Sequence, residues 1–406
     1  MTITALQKLE DGTIASTAPL NENFEALRVG VNTNESNLNN LTVNFDNLSK
    51  EVSDINEIVM PDLTYEKTDA KFLIAENRSQ LRLKAGTVIR LDVSADDVRF
   101  LQVEEDQVYN VIEIMDTGIS SLQAGKDYYI YLVAKDVVDS ETNEVTKTVE
   151  LKASINATYP TGYNSSNSRK IGGFHTLCIA VTSSNAPALV DTDIWETHPA
   201  IGFNAGDVIP NSVWCLSHRP QSAPEGMVYV DKIDMWVDIY LQSGTGLATA
   251  SVYGATVTAN RQPINHQWDL QLVDKKLATD NDFTIFAEGS NQKTAIYGAK
   301  EPSPKTAGGH TDTAGKRMIS GYFVEECCGY LWQWLDELGP VGGSGFATYD
   351  GSASRGQTYG TPYVLSAGGV WDNSSSCGSR ARAANGSRSN VHASRGGRGV
   401  SLPLRV

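Results

Sequence analysis

Across residues 366–400, serine, glycine and asparagine supply 18 of 35 residues. Side chains this small cannot fill a core, so the segment has to be loops and short strands carried on a scaffold built elsewhere. Its charge is equally one-sided. Asp372 is the last acidic residue, and Arg380, Arg382, Arg388, Arg395, Arg398 and Arg405 follow it with no lysine. The whole chain has a formal charge of −15, which argues against nucleic acid or an anionic membrane surface as its general partner. With 40% hydrophobic and 20% charged residues in 406, there is apolar material for roughly two to four domains. No apolar run is long enough for a membrane helix, and Met1 to Leu6 lack the basic and apolar regions of a secretory signal.

The other end of the chain is patterned differently. Leu20, Phe24, Leu27, Val31, Leu38, Leu41, Phe45, Leu48, Val52, Ile55 and Val59 recur at steps of three and four once Asn34 fills one core position. Such heptads predict a parallel coiled coil in which Asn34, at a d site, fixes register and strand number. The Asn-rich stretch 32–47 is a poor helix former, so the helix needs its partners. The alternative is one amphipathic helix packed on a globular domain. Pro61 closes the segment, giving an N-terminal region of 1–62.

Residues 63–195 read as an all-β domain, a sandwich or prism. Val88 to Val93, Asp127 to Val133 and Val145 to Leu151 alternate, with Gly, Asn, Asp and Ser clusters between them. His175 ends a Gly-rich run and is read as a packing or hydrogen-bonding residue. The five cysteines show no metal-ligand spacing and are read as buried free thiols. The third region, 196–406, contains a helix candidate at 280–288 with Thr279 as N-cap. It also carries Trp332 and Trp334, whose spacing places one ring in the core and the other at a rim.

The third region matches a family by motif order. Lys275-Lys276-Leu277-Ala278-Thr279-Asp280-Asn281-Asp282-Phe283 resembles the GKRLPTEAEFE stretch of formylglycine-generating-enzyme-type domains. Gly329 to Trp334 resembles their GNVWEW, Gly368-Gly369-Val370-Trp371 their GGSW, and Gly397-Arg398-Gly399-Val400 stands where GFR closes the domain. The resemblance implies an α+β C-type-lectin-like fold. The enzyme branch uses two cysteines five positions apart; here Cys377 stands near the first, but Arg382 occupies the second. A cysteine-oxidising or glycan-acting enzyme is therefore the alternative reading, and no catalytic residue, cofactor or metal is expected.

Gly378-Ser379-Arg380-Ala381-Arg382, Gly396 to Val400 and Gly309 to Met318 are instead similar to the variable proteins of diversity-generating retroelements, a family that includes phage tropism determinants. Pro19 to Leu27 resembles a stretch near the start of phage tail fibres. The family departs at Ser401-Leu402-Pro403-Leu404, which leaves the packing of the terminus open. The resemblance implies a receptor-binding protein of the phage tail fibre or tip: a homotrimer, made in the bacterial cytoplasm, joined to other virion tail proteins. It would attach to a host-surface protein or glycan through a variable region at about 366–400, without membrane insertion or nucleic acid. Its exposed variable positions would be Val370, Asp372, Asn373, Ser376, Ala383, Asn385, Ser387, Asn390 and His392. Tyr349, Tyr359, Tyr363 and Trp371 would be anchors, as aromatic rings are in antibody paratopes. Trp332, Trp334, Arg380 and Arg398 would be scaffold.

Overall fold

The alternating runs become strands in a computed structural model. It describes residues 63–65, 71–190, 194–296, 300–348 and 357–404, the side chains of 63–65, 347, 348 and 358 excepted. The heptads at 20–59, Tyr349 and Arg405 lie outside the described residues.

Most of the described structure is β-sheet. Strands β1 (Leu73–Ala75), β2 (Gln80–Leu83) and β5 (Gln107–Asn110) form a small sheet in the order β1-β2-β5. Between them, β3 (Thr87–Ser94) and β4 (Asp97–Val103) pair as an antiparallel hairpin. In β3 every second residue, Thr87, Ile89 and Leu91, is buried, as a period of two requires. The next sheet runs β9 (Trp214–Cys215), β8 (Ser168–His175), β6 (Asp127–Val138), β7 (Val145–Ser154). Tyr128 through Val133 of β6 are all buried, because this strand is central and covered on both faces. The three runs read as strands from sequence fall within β3, β6 and β7. A shallow groove of about 720 Å³ between Phe100 and Lys147 lies in this half and shares no residue with the C-terminal sheets.

The C-terminal part builds two four-stranded sheets around two short helices. One sheet runs β10 (Met227–Val230), β11 (Met235–Asp238), β17 (Gly399–Ser401), β12 (Lys276–Leu277). The other runs β15 (Gly378–Ser387), β14 (Gln357–Gly368), β13 (Trp332–Thr348), β16 (Arg395–Gly396). Helix α1 (Pro263–Gln271) starts on proline, which suits the first turn because its missing N–H has no intrahelical partner there. Helix α2 (Asp280–Phe286) starts at the expected Thr279: its hydroxyl accepts from the Asp282 N–H, and the Asp282 carboxylate accepts from the Thr279 N–H. Phe283 and Phe286 then face a core shared with Val237, Ile239, Leu331 and Trp371.

The terminus is stitched into this part. Strand β17 lies between β11 and β12, the Ser401 hydroxyl donates to the Asp274 carbonyl at 3.1 Å, and Leu404 N donates to the Arg219 carbonyl at 2.7 Å. Residues 65–406 form one compact unit. His175, 2% exposed, joins its two parts: Nδ1 lies 2.8 Å from Asp127 Oδ1, and Nε2 lies 3.0 Å from the Tyr240 hydroxyl. Its role is hydrogen bonding in the core, as its position in a Gly-rich run suggested. All five cysteines are buried, and none is in a disulfide.

Candidate ligand-binding face

The composition break at residue 366 corresponds to the end of β14, a turn, and β15. Gly368 and Gly369 make the turn with φ of +93° and +87°. A Cβ on Gly368 would lie 2.2 Å from the Cys327 carbonyl, so the backbone must pass where no other residue fits. The turn continues through Asn373, whose side-chain oxygen accepts from Val370 N at 3.2 Å.

Strand β15 is then fixed to the scaffold through main-chain bonds at its start and through the Arg382 side chain. Lys293 N donates to the Cys377 carbonyl at 2.8 Å, and Gln292 meets Ser379 twice: its Oε1 accepts from Ser379 N at 3.1 Å, and its Nε2 donates to Ser379 Oγ at 3.0 Å. Arg382 reaches back to α2, pairing with the Asp280 carboxylate and donating to Thr284 Oγ1 at 2.7 Å. Its other nitrogen donates to the carbonyls of Ser379 and Ala381, at 2.9 Å each. Further along, Arg398 is 1% exposed and donates to Gln333 Oε1 and to the carbonyls of Asp238, Ile239 and Glu325. Beside it the buried pair Lys275–Asp238, at 2.6 Å, also accepts Gly399 N. Burial raises the Asp238 pKa and Lys275 opposes that rise.

On this frame Ala383, Asn385 and Ser387 follow one another along β15, Asn385 exposed and the others half-buried, with a register shift between Ala383 and Gly386. Ser387 pairs across the sheet with Tyr363, also half-buried. The loop beyond brings Asn390 and exposed His392 alongside, held near α1 because Gln262 donates to the Ser389 carbonyl and Arg388 to Gln267. Asp372 and Ser376 are exposed in the separate turn before β15, where Asn373 is half-buried.

Three expected roles are corrected. Val370 is 4% exposed and packs in the core after the Gly368-Gly369 turn, while its N–H donates to the Asn373 side chain. Trp371, expected as a ligand anchor, is 8% exposed with its ring in the same core and the Lys305 ammonium 5.3 Å from its centroid. Arg380, expected as scaffold, keeps a side chain 67% exposed, with Glu288 at 3.5 Å its ion-pair partner. The clamp falls to Arg382, one alternation further along. Of the other residues named from sequence, Trp334 is 1% exposed, Trp332 half-buried against the core, and Tyr359 66% exposed.

Two features were missed. The hairpin of β13 and β14 exposes Leu338, Val341 and Phe346, with the Phe346 ring edge-on to Tyr359 at 5.6 Å. Its Gly-rich, three-times-shifted register breaks the alternation that would have marked it as strand. Arg395 is 6% exposed, its guanidinium 4.4 Å over the Trp334 ring and its Nη2 donating to Asn385 Oδ1 at 2.7 Å. A Gly-Gly-Arg-Gly neighbourhood gives no periodic signal for such a residue. Cys377, the thiol an enzyme of the related branch would use, is 3% exposed and donates to the Val370 carbonyl at 3.3 Å. Burial first, then Asp372, raises its pKa to about 11, far from the thiolate that nucleophilic or metal chemistry needs.

Residues 71–198 match the family model described as Mtd second domain. The chain is 28% identical over 323 residues to a tail fiber receptor-binding protein of Bordetella phage BPP-1, covering 74% of this chain and 73% of that one. Among solved structures, the Major Tropism Determinant U1 variant superposes with a TM-score of 0.67 at 25% identity, covering 86% and 88% of the two chains. The I1 variant gives 0.66 at 25% identity over the same shares. This chain resembles the phage major tropism determinants over most of its length. The likeness to the tropism determinants spans both the β-rich part and the C-terminal sheets, so the site just described stands on a shared C-type-lectin-like fold.

Proposed function

We propose that the chain is the receptor-binding protein of a phage tail fibre or tail tip, and that it attaches to a host-surface ligand through β15 and the loop 388–394. The observation that carries this reading is the contrast on one strand: a strand held by Gln292, Lys293 and the Arg382 side chain, and small side chains at 383, 385 and 387, of which Asn385 is exposed and Ser387 half-buried. That is the construction of a paratope, in which rigidity comes from below and recognition from adaptable polar groups. Likeness to a protein titled tail fiber receptor-binding protein supports the same role. We read the domains as 1–62, an oligomerising coiled coil that makes a homotrimer; 63–195, a β spacer; and 196–406, the lectin-like head. In this reading Ala383, Asn385, Ser387, Asn390 and His392 are diversified positions, Tyr359 and Tyr363 are anchors, and the protein joins other tail proteins in the virion.

Competition of purified chain with phage particles for adsorption to host cells tests the role. Replacing Asn385, Ser387 and His392 together by alanine should reduce competition by roughly ten- to a hundredfold, because a few central contacts dominate interfaces. Unchanged competition by a folded triple variant would make the face a structural surface only.

A further inference from the structure

Arg395 is a charged side chain in an unusual position. It is 6% exposed, yet among the described residues no carboxylate pairs with it. Its contacts are the Trp334 ring below and the Asn385 amide oxygen, while its Nη1 has no acceptor among the described residues. The indole N–H of Trp334, in the same stack, is likewise buried without an acceptor. Gly386 lies across both: a Cβ there would come 1.9 Å from Arg395 Nη1 and 2.6 Å from Trp334 Cη2. Glycine at 386 therefore leaves room for the stack. Burial lowers the Arg395 pKa, with no opposing acidic neighbour. A buried cation held this way is costly unless something neutralises it.

We propose that Arg395 is a recognition point for the carboxylate of an acidic sugar in the host-surface ligand, and that residue 385 decides whether this cation is available. The proposal rests on reading the sheet as a binding face. The guanidinium fork matches a carboxylate, which would take the place of Asn385 Oδ1 at Nη2 and supply the acceptor that Nη1 lacks. Asn385 is exposed, so its amide can swing aside. Asparagine at 385 satisfies one N–H without cancelling the charge; aspartate there would cancel it from within. A sugar is favoured over an acidic protein segment because Asn385, Ser387, Ser389, Asn390 and His392 offer hydrogen-bonding groups to its hydroxyls.

The test uses the full-length chain on immobilised polygalacturonate and on its methyl ester, the same polymer without charge. Wild type should be retained on polygalacturonate about ten- to a hundredfold more strongly than on the ester, the range expected for a charge-assisted pair. Asn385→Asp should abolish that preference and raise the thermal midpoint at neutral pH. The new carboxylate would have a depressed pKa, so this gain should hold above about pH 4 and fade as pH falls below it. Leu338→Asp adds the same charge at an exposed position of the same sheet outside the proposed face, 53% accessible, and should keep the preference.

Equal loss in Asn385→Asp and Leu338→Asp would reduce the effect to general repulsion and overturn the proposal, as would no preference in wild type or no gain in midpoint for Asn385→Asp. Retention on poly-glutamate as strong as on polygalacturonate would overturn the sugar assignment. These readouts involve no cell, so their failure would leave the adsorption experiment and the receptor-binding reading standing.

Discussion

Arginines dominate the C-terminal segment, and their surroundings give each a different task. Arg398 serves backbone carbonyls around the core, Arg382 ties a strand to a helix, Arg380 extends into solvent and Arg395 is buried against an indole. Histidine divides in the same way. His266 of α1 is fully buried, with Nδ1 2.7 Å from Gln242 Oε1, and Gly397 is pressed so closely that a Cβ would lie 2.9 Å from that nitrogen. Burial first, then the Arg261 charge, lowers its pKa to about 3. An unfolded histidine titrates near 6.5. Between these values the unfolded chain holds a proton that the folded chain does not, so stability falls as pH drops through this window. The contribution from this one group is about 1.4 kcal/mol per pH unit. Urea unfolding at pH 4.5 and pH 7 should show the loss, and His266→Gln should reduce the difference between the two; an identical difference would locate the acid sensitivity elsewhere.

Helix α2 is where local sequence and tertiary role meet. Its capping box sets where it starts, which puts Asp280 in reach of Arg382 and Phe283 under the same guanidinium, 5.1 Å from its ring. Thr279→Ala should cost about 1 kcal/mol in urea unfolding, the usual value of an N-cap. A cost near zero would mean that packing of Phe283 and Phe286 alone fixes the start. This helix, strands β3, β6 and β7, and the Trp332–Trp334 alternation were legible in sequence because each is a local pattern with a fixed period. The Arg382 clamp was not, since its partner is Asp280, 102 residues away. Val370 and Trp371 misled because composition marks the segment as surface, whereas a turn through two left-handed glycines folds those two residues inward. The β13–β14 hairpin escaped because its bulges destroy the period that pattern reading depends on.

At the scale of the whole molecule, the β-rich part and the lectin-like part share buried hydrogen bonds, so the head is carried on a stiff base rather than a tether. If the heptads join three such heads, weak contacts add through effective concentration, which raises avidity by about a hundredfold or more. Sedimentation of the intact chain should therefore report a trimer, and removal of residues 1–62 should give a monomer that competes for adsorption about a hundredfold less well. A monomeric intact chain would end the coiled-coil reading.

The attachments of β15 have one more consequence. Lys293 reads the carbonyl of Cys377, Gln292 reads the N–H of Ser379, and Arg382 reads the carbonyls of Ser379 and Ala381. Every amino acid brings those main-chain atoms, so exchanges at 383, 385 and 387 leave each attachment in place. Outside the Asn385–Arg395 contact, stability and any specificity the face carries are thereby written in different atoms of the same strand, so versions of this surface can differ without unfolding it.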